Sequence, residues 1–422
     1  MAERRNGAEE RVPDAAPRAR IREAIDRNLL VEAAAGTGKT SSLVDRMVAL
    51  VGSGTPVDRI CAVTFTIKAA AQLDQRFQNA LEAAAGEERD AVRRRRLEDA
   101  LGRLDACFIG TIHAFCSRLL RERPVEAGLD PAFEEMDEAA DAAARAEAWT
   151  RYGERLFTEG SPELARLMEA GLELEHLREA YETLCENGDV VAVAAPAGGP
   201  PDLSWARPRI EAFLDRALAA IPASVPSAGW DRVQSSIRAA GRLRELTDFS
   251  SAPDLANVLK ELDRAKAKDV KPKSWPSRQA ADRLVSDLEE LRADTLGPAL
   301  RRWREYLHPI AIAAIVPAVE EYAAWRRREA RVNFQDQLLF ARNLLRDHPA
   351  VRRALQERFT PVLVDEFQDT DPIQAEVLLY LTGSDTEERD WRKLSPLPGS
   401  LFVVGDPKQS IYRFRRADIQ TY

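Results

Sequence analysis

Eight consecutive residues, Ala33-Ala34-Ala35-Gly36-Thr37-Gly38-Lys39-Thr40, put two glycines, one lysine and two hydroxyls into a short loop. Gly36 and Gly38 allow backbone N–H groups to turn toward an anion, and a helix opening at the same point adds favourable partial charge. Leu29-Leu30-Val31 in front of the loop reads as a buried strand. Ser41-Ser42-Leu43-Val44-Asp45-Arg46-Met47 behind it reads as a helix. Strand, loop and helix in that order are the context a phosphate loop requires, and the match is close, with Ala33 in place of the usual first glycine. The chemistry this predicts is binding of ATP by Ala33, Ala34, Ala35, Gly36, Thr37, Gly38, Lys39, Thr40 and Ser41. Lys39 would reach the terminal phosphates, and the Thr40 hydroxyl would ligate Mg²⁺.

A second stretch, Val362-Leu363-Val364-Asp365-Glu366-Phe367-Gln368-Asp369, is an apolar run ending in two carboxylates. Mg²⁺ keeps several waters and takes one or two protein carboxylates. Asp365 suits that role through a water. Glu366 is placed to orient or deprotonate the water that attacks a γ-phosphate. A glycine-rich turn and an unrelated strand with two solvated acids would share these residue types. They would not share the strand–loop–helix order.

Those elements must sit in something large. The 422 residues suffice for two or three domains, and 45% hydrophobic with 31% charged content is that of an ordinary globular chain. A net charge of −8 argues against generic coating of DNA but leaves room for a local basic groove. Cys61, Cys107, Cys116 and Cys185 show no zinc or redox spacing, so reduced thiols in a cytoplasmic protein are expected. Met1 to Arg22 holds no apolar run of the kind a signal peptide needs. The most apolar stretch, Pro309 to Val319, is shorter than a membrane span and reads as a core helix, so no membrane is expected. The run Arg93 to Arg96 reads as a solvated helix face.

Candidate strands at Leu29–Ala33, Ile60–Phe65 and Cys107–Thr111 alternate with helical periodicity, the grammar of an α/β fold with a parallel sheet. From about Glu134 to Arg331 strand candidates nearly vanish. Ala143–Phe157, Pro162–Cys185 and Trp205–Ile221 read there as amphipathic helices. Strand candidates return at Pro361–Val364 and Leu401–Val404. The organisation expected is a disordered stretch 1–15, an ATPase lobe built from 16–133 and 332–422, and a large all-helical domain, 134–331, inserted into it.

Further motifs follow the strands: Ala62-Val63-Thr64-Phe65-Thr66-Ile67-Lys68 after the second, Gly110-Thr111-Ile112-His113-Ala114-Phe115 after the third, Asp371-Pro372-Ile373-Gln374 beyond the acids. The last is Val403-Val404-Gly405-Asp406-Pro407-Lys408-Gln409-Ser410-Ile411-Tyr412-Arg413-Phe414-Arg415-Arg416-Ala417. Together with the phosphate loop and the Asp-Glu strand, this set resembles the UvrD/RecB-like superfamily 1 DNA helicases. The leader Val31-Glu32-Ala33-Ala34-Ala35 and the long helical stretch resemble the RecB/AddA branch.

The resemblance implies a RecA-like P-loop NTPase lobe and a DNA-dependent ATPase and 3′→5′ DNA helicase of repair or recombination. Catalytic work would fall to Glu366, Lys39 and Gln409, with Gln409 contacting the γ-phosphate. Thr64, Phe65, Thr66, Thr111, His113, Tyr412, Phe414 and Arg415 would meet single-stranded DNA or its junction with duplex. Phe65 and Phe414 would act there as stacking platforms, which are sequence-tolerant. A partner subunit of a RecBCD/AddAB-like complex is also implied. Two departures stand out. Asp14-Ala15-Ala16-Pro17-Arg18-Ala19-Arg20-Ile21 lacks the adenine-reading Gln of many relatives, and Ile67 and Gln72 stand where Glu is common. The chain stops at Asp418-Ile419-Gln420-Thr421-Tyr422, ahead of the second RecA-like lobe that the family carries. The expectation is therefore the ATP-binding half of a helicase, incomplete as a motor. The alternative is a nucleotide-dependent DNA-binding module with little hydrolysis of its own.

Overall fold

The computed structural model describes residues 15–34, 36–190 and 198–409. Of the expected site residues, Ala35, Tyr412, Phe414 and Arg415 lie outside the described residues, as does nearly all of the stretch expected to be disordered; a helix, Ala15–Glu23, already begins at its last residue. Two compact units emerge. One is built from the residues up to Asp141 and those from Arg326 onward, the other from Ala142–Trp325.

The first unit is an α/β layer structure. Five strands, β1 (Leu29–Glu32), β2 (Cys61–Thr64), β3 (Phe108–Thr111), β6 (Val362–Val364) and β7 (Leu401–Gly405), lie in the order β1-β7-β6-β2-β3. Every pairing among them is parallel. Parallel strands are covered on both faces and so read as continuous apolar runs. Side-chain alternation sends Cys61, Val63, Val362, Val364 and Val403 into one core. Ala62, Leu363, Phe402 and Val404 enter the core on the opposite face. Because all strands point the same way, their carboxyl ends form one rim, where ligands of open α/β sheets bind. A second, two-stranded parallel ladder pairs β4 (Glu134–Glu135) with β5 (Arg331–Val332).

Helix Lys39–Ser53 presents Leu43, Val44, Met47, Leu50 and Val51 to the second of these cores, an i, i+1, i+4, i+7, i+8 face. It ends at Gly54 with φ 110°, whose N–H bonds to the Val51 carbonyl, a left-handed cap that glycine adopts without strain. Arg46, 1% exposed, donates to the carbonyls of Ile21, Ala24, Ile25 and Arg27. That guanidinium fixes the end of helix Ala15–Glu23 against the helix that follows the phosphate loop. The four cysteines are buried and in no disulfide among the described residues, and burial pushes the Cys107 thiol up to about 12, so that thiol stays protonated.

In the second unit all the described elements are helices. The expected helix Pro162–Cys185 is two, Pro162–Glu169 and Arg178–Glu186, broken by Gly171 at φ 71° and a short 3-10 turn. Helix Gly297–Arg328 runs on through Pro309 and Pro317. Among the described residues one helical run, Arg278–Arg328, is long and apolar enough by length and composition to cross a membrane. Ile310, Ala314, Ile315, Ala318 and Tyr322 on it are buried against Trp149, Tyr152 and Tyr181. A buried carboxylate organises the other half of this unit. Asp231 caps helix Arg232–Leu246, accepting from Gln234 N at 2.8 Å. Its second oxygen accepts from Lys271 N at 3.0 Å and Trp275 Nε1 at 2.6 Å. The basic segment around Lys271 is thereby stapled down, with Trp275 6% exposed and Lys268, Lys271 and Lys273 facing solvent.

Candidate nucleotide-binding site

The loop between β1 and helix Lys39–Ser53 is held at both ends. Ala33 N donates to Gly405 O at 3.1 Å, extending the β1–β7 ladder, and Thr37 Oγ1 donates to Ala34 O at 2.6 Å. Gly36 and Gly38 have φ of 76° and 91°, backbone that side-chain-bearing residues seldom adopt. Ala34, Gly36, Thr37 and Ser41 are exposed, leaving the cradle open. Arg18, in the segment that lacks the adenine-reading Gln, donates from Nη2 to Thr37 O at 2.7 Å.

Lys39 heads the helix, is 8% exposed, and places Nζ 2.6 Å from Glu366 Oε2. The two candidate segments, 327 residues apart, are thus brought together as expected. Asp365 continues the β6 ladder through its N–H to Val63 O at 2.9 Å. Its carboxylate accepts from Glu366 N at 3.0 Å and shares a side-chain hydrogen bond with Thr40. Burial and the Glu366 charge raise the Asp365 pKa; Glu366 N–H, Lys39 and Thr40 oppose the rise. Glu366 itself has φ 52° and ψ 43°, left-handed backbone at a residue with a long side chain. Such strain persists where surrounding structure over-determines it and clusters at functional sites.

Four residues at this site carry contacts that motif spacing did not single out. Gln368 donates from Nε2 to Glu366 Oε2 at 2.6 Å and accepts on Oε1 from Asp406 N at 2.9 Å. Asp406, at the end of β7, accepts from Lys408 N at 3.1 Å and from the Gln409 side chain. Asp369 is buried with Oδ1 lacking a hydrogen-bond partner among the described residues; burial first, then the Glu366 charge, push its pKa up to about 6. Arg18 is the fourth. The one signal for any of them was polar residues directly beyond an apolar strand, where no core needs them.

The donor set fits Mg²⁺ and a triphosphate. One carboxylate and one hydroxyl, Asp365 and Thr40, already face each other, the protein share that Mg²⁺ takes when phosphate oxygens and water complete its shell. Lys39 and Gln409, the two groups expected to meet phosphate, are both turned onto carboxylates.

The residues expected at DNA stand along the same rim. Thr64 ends β2 and is 3% exposed, its Oγ1 without a partner among the described residues. Phe65 is half-buried. Thr66 and Thr111 cap the helices after β2 and β3, accepting from Ala69 N at 3.0 Å and Ala114 N at 3.2 Å. His113 meets the Phe334 ring edge-on at 5.6 Å, and burial lowers its pKa, so the imidazole is neutral at pH 7.

An open phosphate loop, an Asp-Glu pair closing on it and a wholly parallel sheet define a protein of the α/β phosphate-loop class. The comparison with known families is specific: the model for the UvrD/REP helicase N-terminal domain matches residues 15–422, and the chain belongs to that family. Among curated relatives, an ATP-dependent helicase/nuclease subunit of Enterococcus faecalis is 30% identical over 440 residues, covering 93% of this chain and 34% of that protein. The protein of the same name from Desulforudis audaxviator is 30% identical over 454 residues, 93% of this chain and 35% of its own. That of Latilactobacillus sakei is 26% identical over 446 residues, 93% and 48%. This chain spans about a third of the length of the first two.

Proposed function

We propose that these residues are the ATP-binding half of a DNA-dependent ATPase and 3′→5′ DNA helicase acting in repair or recombination. The Lys39–Glu366 contact at 2.6 Å carries the reading, because it joins phosphate loop and carboxylate strand into one site. Family membership and relatives named as ATP-dependent helicase/nuclease subunits support it. Bound Mg·ATP would supply the γ-phosphoryl group for transfer to water. Lys39 exchanges Glu366 for phosphate oxygens. Asp365 and Thr40 hold the cation. Glu366, released by Lys39, accepts the proton of the attacking water. Gln409 leaves Asp406 to meet the γ-phosphate. The helical unit is the domain inserted into the RecA-like lobe. Single-stranded DNA and its junctions are the substrate, met through Thr64, Phe65, Thr66, Thr111 and His113, and through Tyr412, Phe414 and Arg415 beyond the described residues. A second subunit in an AddAB- or RecBCD-like complex and a cytoplasmic location complete the proposal.

Two measurements test it. Titration with a fluorescent ATP analogue and Mg²⁺ should show Lys39→Ala binding at least about tenfold more weakly, since hydrogen bonds to charged groups are worth roughly 1.5–3 kcal/mol. Equal affinity overturns the nucleotide site. ATP-dependent strand displacement by a longer form containing the second lobe should require a 3′ overhang. Displacement only from a 5′ overhang overturns the polarity, and DNA binding without displacement or DNA-stimulated hydrolysis favours the binding-module alternative.

A further inference from the structure

We infer that Gln368 is a positioning residue that couples the γ-phosphate sensor to the catalytic carboxylate. The inference rests on the roles proposed for Gln409 and Glu366.

Gln368 is 2% exposed, and its side-chain amide spans two strand ends. Nε2 holds Glu366 Oε2 at 2.6 Å, beyond β6. Oε1 holds Asp406 N at 2.9 Å, beyond β7. A primary amide is rigid and planar, so its two poles move together. On the β7 side, the Asp406 carboxylate takes the Gln409 side chain and Lys408 N. On the β6 side, Glu366 Oε2 takes Lys39 Nζ as well as Gln368. The contacts form one line: Lys39, Glu366, Gln368, Asp406, Gln409. Its two outermost members are the groups that phosphates would attract, and both are occupied by carboxylates.

A nucleoside triphosphate therefore asks for both ends of the line at once. When Gln409 turns away, Asp406 loses one of its donors and its turn is free to shift. Gln368 carries that shift to Glu366 at the moment Lys39 releases the same oxygen. A diphosphate offers Gln409 nothing, so Asp406 keeps its donor and Gln368 keeps Glu366 where it stands. The one side-chain amide of the Asp365–Asp369 segment thus has a task distinct from packing: it makes the base respond to the sensor.

The test is a binding cycle that needs no turnover. Dissociation constants for a fluorescent ATPγS and for ADP are measured with Mg²⁺ on the full chain, on Gln409→Ala, on Glu366→Gln and on the double variant. With Gln368 present, loss of the Gln409 bond to Asp406 changes how firmly Glu366 is held, so the effect of Glu366→Gln on ATPγS affinity differs between the Gln409 and Gln409→Ala backgrounds. Residues in one hydrogen-bond network show coupling of roughly 0.5–3 kcal/mol, so the double variant should depart from the product of the singles by about threefold or more for ATPγS. For ADP no departure is expected. Repeating the cycle in Gln368→Met, which keeps the length and removes both hydrogen bonds, should return ATPγS to simple multiplication. If that variant does not fold by thermal melting, Gln368→Glu serves, since it keeps an acceptor for Asp406 N and loses the donor to Glu366. Equal departure in both backgrounds, or none with Gln368 intact, overturns the coupling. Failure of the underlying reading looks different: Gln409→Ala would then bind ATPγS and ADP in the wild-type ratio, or Lys39→Ala would bind both at full strength.

Discussion

Replacing Glu366 by Gln should tighten ATP binding, although it removes the proposed catalytic base. Lys39 cannot hold Glu366 and a phosphate oxygen with the same geometry, so its ion pair at 2.6 Å must be given up on binding. The Lys39 side chain is 8% exposed and that of Glu366 36% exposed. The pair therefore lies between a surface ion pair, worth up to about 1 kcal/mol, and a buried one, whose breaking costs about 3–5 kcal/mol. A neutral amide keeps an acceptor for Lys39 and loses the charge. Releasing Lys39 should then be easier by about 1 kcal/mol, or about fivefold in affinity. Loss of carboxylate–phosphate repulsion acts in the same direction. The assay is equilibrium titration with a slowly hydrolysed fluorescent analogue at two salt concentrations. In a Lys39→Ala background most of the gain should vanish, because no ion pair remains to be broken. Unchanged or weaker binding by Glu366→Gln, or the same gain without Lys39, would refute the reasoning. Hydrolysis by a form with the second lobe should fall to background in this variant.

Asp231→Ala should destabilise the helical unit by about 2–4 kcal/mol, because it leaves the buried Trp275 Nε1 and the Lys271 and Gln234 amides without their acceptor; urea unfolding reads this, and nucleotide affinity should not change. Asp369→Asn should raise the melting temperature at pH 7.5 in the absence of Mg²⁺ and leave it unchanged near pH 3. The folded pKa, pushed up to about 6, lies above the unfolded value, so stability is lost as pH rises through that window, and the amide cannot lose it. Neutralising Lys268, Lys271 and Lys273 together should lower the slope of log affinity against log salt for forked DNA by about one per lost phosphate contact; an unchanged slope would mean that the stapled loop does not touch DNA.

Strand positions were legible in the amino-acid order to within a residue or so, because buried parallel strands must be apolar throughout and phosphate chemistry needs glycines at their ends. That Lys39 and Glu366 would lie together was legible for a related reason: Asp365 and Glu366 directly follow an apolar run, and Lys39 and Thr40 follow the glycines of a strand-to-helix loop, positions where folding alone would not select them. The Gln368–Asp406 contact was not legible. It links residues 38 apart through an amide that could as well cap a turn, and only the adjacency of β6 and β7 gives it partners. The two-residue ladder of Glu134–Glu135 with Arg331–Val332 was invisible because it is too short and too charged to show a period. Asp231 was not singled out, because nothing in its spacing announces that Trp275 and Lys271 close on its second oxygen. The break at Gly171 was missed because the periodicity on either side continues in phase.

The place of β1 in the sheet bears on how the molecule comes into being. β1 is the first strand among the described residues, and within the five-stranded sheet it pairs with β7 alone, Leu29 opposite Phe402 through Glu32 opposite Gly405. That strand neighbour, the only one among the described residues, thus leaves the ribosome more than three hundred and sixty residues later. Pairings of such long sequence separation form late, since loop closure must be completed before they contribute. Until β7 arrives, the phosphate loop has no backbone anchor at Ala33 and no Glu366 opposite Lys39. A nascent chain would hold its helical stretch and the β2–β3 pair well before it could grip a nucleotide. On the proposed reading, ATP would then be a ligand of the sheet with its last strand already in place, and would not guide the first.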